Sequence, residues 1–226
     1  MNTSGSITET RMVSGFNRVF LRAQHTNELI ITQGKREGLT VEGPPSIVPR
    51  LVTEVRHGTL VIGTGGDWLE RLSDALTTSL TRPHIRYELT VKNLASLEVC
   101  AMASVHADSL KAEHLTLRFA GMGELRIGAV DARLLEVDLP GAARIELAGY
   151  AAEQRVTVAG PAHYDAPRLE SHKAQVTVKG IGAATVWAAG ELDVSIRGPG
   201  RVSYRGAPRV KHSIAPLGSL SCLGTA

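Results

Sequence analysis

Leu97-Glu98-Val99-Cys100-Ala101, Leu117-Arg118-Phe119-Ala120-Gly121, Val137-Asp138-Leu139-Pro140-Gly141, Val156-Thr157-Val158-Ala159-Gly160, Val176-Thr177-Val178-Lys179-Gly180 and Val194-Ser195-Ile196-Arg197-Gly198 are six versions of one five-residue phrase. Their last residues fall at 101, 121, 141, 160, 180 and 198, so the phrase returns after 20, 20, 19, 20 and 18 residues. Self-similarity at a fixed period of this length signals stacked repeats, and it decides the architecture before any residue is read for chemistry.

Each phrase alternates apolar and polar residues, the period of a half-buried strand. Two inward columns run down the repeats: Leu97, Leu117, Val137, Val156, Val176, Val194, and Val99, Phe119, Leu139, Val158, Val178, Ile196. A glycine corner follows, and then a second strand with inward Val105, Leu125, Ile145, Tyr164, Ala184 and Val202. A third inward position reads Leu110, Val130, Tyr150, Leu169. Twenty residues leave no room for a crossover helix beside the strands, and hairpins would not give a period of one copy. The arrangement that buries every inward column is all-β, a single-stranded right-handed parallel β-helix in which each copy is one coil. Coils about 4.8 Å apart then carry six copies over roughly 25–30 Å.

The outward columns agree with this register. Glu98, Arg118 and Asp138 follow one another on successive coils, as do Glu136 and Arg155, so opposite charges become cross-strand neighbours. A slip of one residue would turn these charges inward.

The pattern predicts one domain over residues 1–226. Its parts are an extended or disordered tail (1–12), N-terminal coils and a cap (13–96), regular coils (97–210) and a C-terminal tail (211–226). Short strands punctuated by glycine and proline fill the N-terminal third, with less regular spacing, as end coils require. Residues 67–80 differ. Trp68, Leu69, Leu72, Ala75, Leu76 and Leu80 recur at helical spacing, and Asp67 with Glu70 makes a capping box, so a short helical insertion is expected there. Such a helix either presents Trp68 to a partner or lies on the β-body.

Of 226 residues, 43% are hydrophobic, enough for a sizeable core, and only 4% are aromatic, which suits a narrow interior of aliphatic side chains. The net charge of +3 is dispersed, without a basic run or an aromatic stacking set, so no nucleic-acid partner is expected. There is no 18-residue apolar run for membrane insertion and no apolar leader segment at the N-terminus. The expectation is a cytoplasmic protein, or an exported or cell-surface one if a leader precedes this sequence. Cys100 and Cys222 read as buried or incidental thiols rather than a disulfide or metal pair. The eight histidines show no zinc spacing, so neither metal nor cofactor is expected.

Chemistry, if present, would need carboxylates on adjacent coils. The outward column of the second strand offers His106, Arg126, Glu146, Asp165, Thr185 and Ser203. Glu146 and Asp165, about 5 Å apart, have the separation of a retaining carbohydrate-active enzyme, with Arg126 beside them. Many columns here carry mixed charges, so the same column reads first as a solvated charge ladder. Arg126, Glu146, Asp165 and Trp68 are the candidate binding residues, and no catalytic residue is assigned.

The order of several pieces resembles a known family. Val13-Ser14-Gly15-Phe16-Asn17-Arg18-Val19, Leu29-Ile30-Ile31-Thr32-Gln33-Gly34, Leu39-Thr40-Val41-Glu42-Gly43 and Thr53-Glu54-Val55-Arg56-His57-Gly58-Thr59-Leu60-Val61-Ile62 are similar to the auto-transporter adhesin head, or GIN, domain, as are the turns Gly121-Met122-Gly123, Gly180-Ile181-Gly182 and Gly198-Pro199-Gly200. The resemblance spans roughly residues 13–213. It implies a right-handed β-helix of the kind found in exported bacterial proteins, and it carries no catalytic residues. The function expected is therefore a non-enzymatic structural or interaction protein, a homo-oligomer with a protein or carbohydrate partner. A polysaccharide hydrolase or lyase is the alternative.

Overall fold

The computed structural model describes residues 5–64 and 83–224. Trp68 and the helix expected over 67–80 lie outside those residues. The chain is a β-solenoid of about 6 turns with mostly parallel strands.

Five long strands form its body: β9 (Met102–Phe119), β10 (Met122–Leu139), β11 (Ala142–Val158), β12 (His163–Val178) and β13 (Ala183–Ile196). Each bends around two corners, so one strand contributes to three faces. Neighbours pair in parallel, and the first inward column stays in register from Leu117 through Val137, Val156 and Val176 to Val194. Every residue of both inward columns of the repeat is buried, from Leu97 and Val99 to Val194 and Ile196. Removing an aliphatic side chain of this size from water contributes about 1.5–3 kcal/mol, which makes these rows the main stabilising element. Corners pack as tightly as rows. A Cβ on Gly121 would stand 1.8 Å from the carbonyl oxygen of Ala101, so only glycine lets the coils close at that corner.

The second column also holds, through Val105, Leu125, Ile145, Tyr164, Ala184 and Val202. The third does not run as the alternation suggests. Register shifts between Ile127 and Val130, so Val130 faces Gly149 and Asp131 faces Tyr150. Gly149 takes φ +113°, and a Cβ there would meet the Val130 carbonyl at 2.2 Å. In the row of buried Leu110, Val130 and Leu169 the register place of this coil therefore falls to Gly149, which is itself exposed, and Tyr150 points outward with 46% of its surface exposed. The bulge re-aims the side chain.

Coils of the N-terminal third are not stacked in chain order. β2 (Arg18–Arg22) and β3 (Thr26–Gln33) form one coil, while β6 (Thr59–Thr64) and β7 (His84–Val91) form the next one outward. The chain then returns past both, and β8 (Ser96–Val99) and β9 close on the other side of β2 and β3. Gln33 braces this return, accepting from the Lys111 N–H (2.7 Å) and donating to the carbonyls of Lys92 (3.1 Å) and Lys111 (3.0 Å). Antiparallel strands cap the outer end. β1 (Ile7–Arg11), within the tail, pairs with β4 (Gly38–Gly43), β4 pairs with β7, and β5 (Leu51–Arg56) pairs with β6. A 3-10 turn at Val48–Arg50 plugs the interior with Val48. At the other end β14 (Arg201–Arg205), β15 (Arg209–Ile214) and β16 (Ser219–Cys222) continue the parallel stack.

Among the described residues three polar side chains are buried: Asn27, Gln154 and Ser171. Asn27 donates to the carbonyls of His25 and Met102, tying two coils together. Cys100 and Cys222 are free and exposed, so neither thiol belongs to the core. Partial burial, with the Glu98 carboxylate beside it, pushes the Cys100 thiol up from its ordinary value.

Candidate binding faces

Parallel stacking converts sequence columns into rows of side chains on flat faces. On the face built by the first strand of each repeat, Arg118 pairs with Glu98 at 3.3 Å and with Asp138. Arg155 lies 3.3 Å from Glu136 and 2.9 Å from Glu153, and His114 approaches Glu136 at 2.8 Å. A shallow depression of about 380 Å³ opens among these rows, lined by Thr116, Glu136, Asp138, Arg155, Gln175 and Thr177 with their neighbours. Carboxylates, a guanidinium, an amide and hydroxyls thus share one concave patch, a mixed set of donors and acceptors suited to a polar partner.

On the second face the structure brings together three of the four residues selected from the sequence. Arg126 is in register with His106 on one side and Glu146 on the other, and Glu146 with Asp165. The Arg126 guanidinium lies 2.9 Å from Glu124 and 3.2 Å from Glu146, so the Glu146 carboxylate is already engaged. None of the three lines the depression. Trp68, the fourth, lies outside the described residues. No group of three or more His, Cys, Asp or Glu side chains among the described residues could hold a metal ion. No described helix is long and apolar enough to cross a membrane.

A family profile described as "Putative auto-transporter adhesin, head GIN domain" matches residues 16–208. The chain belongs to this family. Solved structures share the fold of this GIN domain. A putative adhesin from Bacteroides fragilis superposes with a TM-score of 0.82 at 22% identity, covering 99% of this chain and 96% of that chain. A putative lipid binding protein from Parabacteroides distasonis gives 0.74 at 21%, covering 98% of each. A putative adhesin from Parabacteroides merdae gives 0.68 at 15%, covering 98% of this chain and 97% of that one. Identities this low carry the fold alone. No curated protein matches the sequence.

The repeat pattern shows the ion pairs of the first face but not the depression between them, because concavity depends on how four strands curve together. It also missed the outward setting of Tyr150, for which Gly149 was the available signal, and it did not single out Trp187 on the same face.

Proposed function

We propose that this GIN domain is a non-enzymatic binding head, a rigid β-helix that holds recognition faces still for a protein or carbohydrate partner. The observation that carries the proposal is the in-register pairing of β9 to β13 along the first and second faces, which lays polar side chains in straight rows. A solenoid of this kind supplies an extended surface whose side chains are ordered before the partner arrives, so little entropy is lost on binding. The first-face depression and the row Arg126, Glu146, Asp165 are the contact regions offered to a polar partner. The family description supports an exported or cell-surface location, and the proposal takes that location over the cytoplasm. The solved relatives described as putative adhesins support the same reading.

The test presents the purified chain to arrays of glycans and of extracellular proteins, with mass spectrometry of each ligand before and after incubation. Saturable binding with the ligand chemically intact is the expected result. Cleavage of a polysaccharide that disappears in Glu146→Gln would overturn the proposal in favour of a carbohydrate-active enzyme.

Self-association belongs to the same proposal. Among the described residues no strand lies beyond β15 and β16, and Leu217 and Leu223 are exposed there. An uncovered sheet edge beside apolar side chains favours a second copy. Light scattering across a concentration series should give a dimer that Leu217→Asp weakens, and a monomer throughout would remove this part of the proposal.

A further inference from the structure

The third face carries a column that the ion-paired rows do not explain. In register from coil to coil, its outward residues are Lys111, Asp131, Tyr150, Glu170, Trp187 and Arg205. Lys111 and Asp131 pair at 2.7 Å, and Arg205 donates to the Pro167 carbonyl at 3.5 Å. Glu170 stands between the two rings and makes no ion pair with a described residue. The tyrosine is exposed and the tryptophan half-buried.

Two independent features set the backbone positions from which these rings project. The first is the bulge at Gly149, which turns Tyr150 out of the core. The second is a buried polar network directed at the backbone of Trp187. Its carbonyl accepts from Ser171 Oγ (2.8 Å) and Gln154 Nε2 (3.3 Å). Gln154 Nε2 also donates to Ser171 Oγ (2.7 Å), and Gln154 Oε1 accepts from Tyr164 (3.0 Å). Gln154, Ser171 and Tyr164 are at most 1% exposed. A polar network fully satisfied in the core fixes one geometry.

We propose that Tyr150, Glu170 and Trp187 form a platform for an extended β-1,4-linked glycan lying along the solenoid axis; this names a partner class for the binding head argued above and rests on that reading. The two rings stand two coil spacings apart, about 9.6 Å. Alternate pyranose units of such a chain present the same face at closely this interval. The C–H face of a pyranose stacks on an aromatic ring, burying apolar surface on both sides. The unit between them is turned over, and Glu170, whose carboxylate accepts two hydroxyl donors, takes them from the rim of that ring. A polyproline helix repeats at a similar distance. Its free groups are carbonyl acceptors, however, and these call for a donor between the rings rather than a carboxylate.

The test is calorimetric titration of the full chain with cellohexaose and chitohexaose, and with a ten-residue proline peptide. One hexasaccharide binds in the expected outcome. Tyr150→Ala and Trp187→Ala each weaken that binding tenfold or more, and Glu170→Gln weakens it three- to tenfold, while Lys179→Ala, at an exposed corner away from the column, leaves it unchanged. Circular dichroism melts verify folding. If Trp187→Ala does not fold, Tyr150→Ala decides, because its ring is exposed. Unchanged affinity in Tyr150→Ala, binding of the proline peptide in place of the sugars, or no binding of either hexasaccharide overturns the platform. In each of those cases the binding-head reading stands if another array ligand is retained. Cleavage of the hexasaccharides would instead overturn the binding-head reading.

Discussion

Tyr87 and Tyr164 occupy one inward row, with Leu29, Val105, Leu125 and Ile145 between them. Both are fully enclosed, and burial pushes both phenols well above their ordinary value. They differ in one bond. Tyr164 donates to Gln154, whereas the Tyr87 hydroxyl has no hydrogen-bond partner among the described residues. Removing the first hydroxyl strands a buried acceptor, and removing the second strands nothing. Tyr164→Phe should therefore lower stability by about 1–3 kcal/mol, while Tyr87→Phe should leave it unchanged or raise it by up to about 1 kcal/mol. Urea denaturation of the two variants beside the parent chain checks the sign of each. A stabilised Tyr164→Phe would mean that the network around Gln154 is not satisfied as described. The repeat marks Tyr164 as core and does not reach Tyr87, and hydrogen-bond satisfaction depends on atoms that meet only after coiling, so the difference between them was not legible in the sequence.

Within the elements, aliphatic rows and charged rows do different work. Arg118 bridges Glu98 and Asp138 across three coils, yet the side chains are solvated, and exposed ion pairs contribute little. Leu139, one residue beyond Asp138, is fully enclosed. Arg118→Ala should cost less than about 1 kcal/mol, with the difference shrinking as salt is raised. Leu139→Ala should cost about 2–5 kcal/mol at any ionic strength. Thermal or chemical melts at low and high salt separate the two. The charged rows thus fix register more than stability, since a one-residue slip would bury them. That logic made the first two columns legible, and it explains where legibility stopped. Around Ala148-Gly149-Tyr150-Ala151 the chain does not alternate apolar and polar residues, so Gly149 alone hints at the change of phase. The second-face row Arg126, Glu146, Asp165 was legible because it lies on strand segments that alternate cleanly up to the register shifts that follow them. The third-face column was lost at the bulge.

The whole molecule is a stack whose first-made coil is an interior one. β2 and β3 lie between a coil that comes later in the chain and the regular body, so strands far apart in sequence must meet before that coil is covered. No periodicity announces such a stacking order, since it depends on which later strand reaches which edge. In a stack each coil is supported by its neighbours, so protection should follow position in the stack rather than position in the chain. Hydrogen exchange should therefore be slowest in β10, β11 and β12 and fastest in β1, β15 and β16, with β2 and β3 nearer the slow group despite their place near the N-terminus. Fast exchange across β2 and β3 would contradict the interior placement. The most direct test of the account is a cross-linking measurement on the regular coils. With Cys100→Ser and Cys222→Ser as background, Thr157→Cys with Thr177→Cys places two thiols on facing positions of adjacent coils. At about 4.8 Å between Cα atoms, that pair is within disulfide reach. The account predicts that mild oxidation links this pair and raises the melting temperature, while Thr157→Cys with Ser195→Cys, two coils apart, stays reduced. A link in the second pair, or none in the first, would contradict the stacked register on which every proposed face depends.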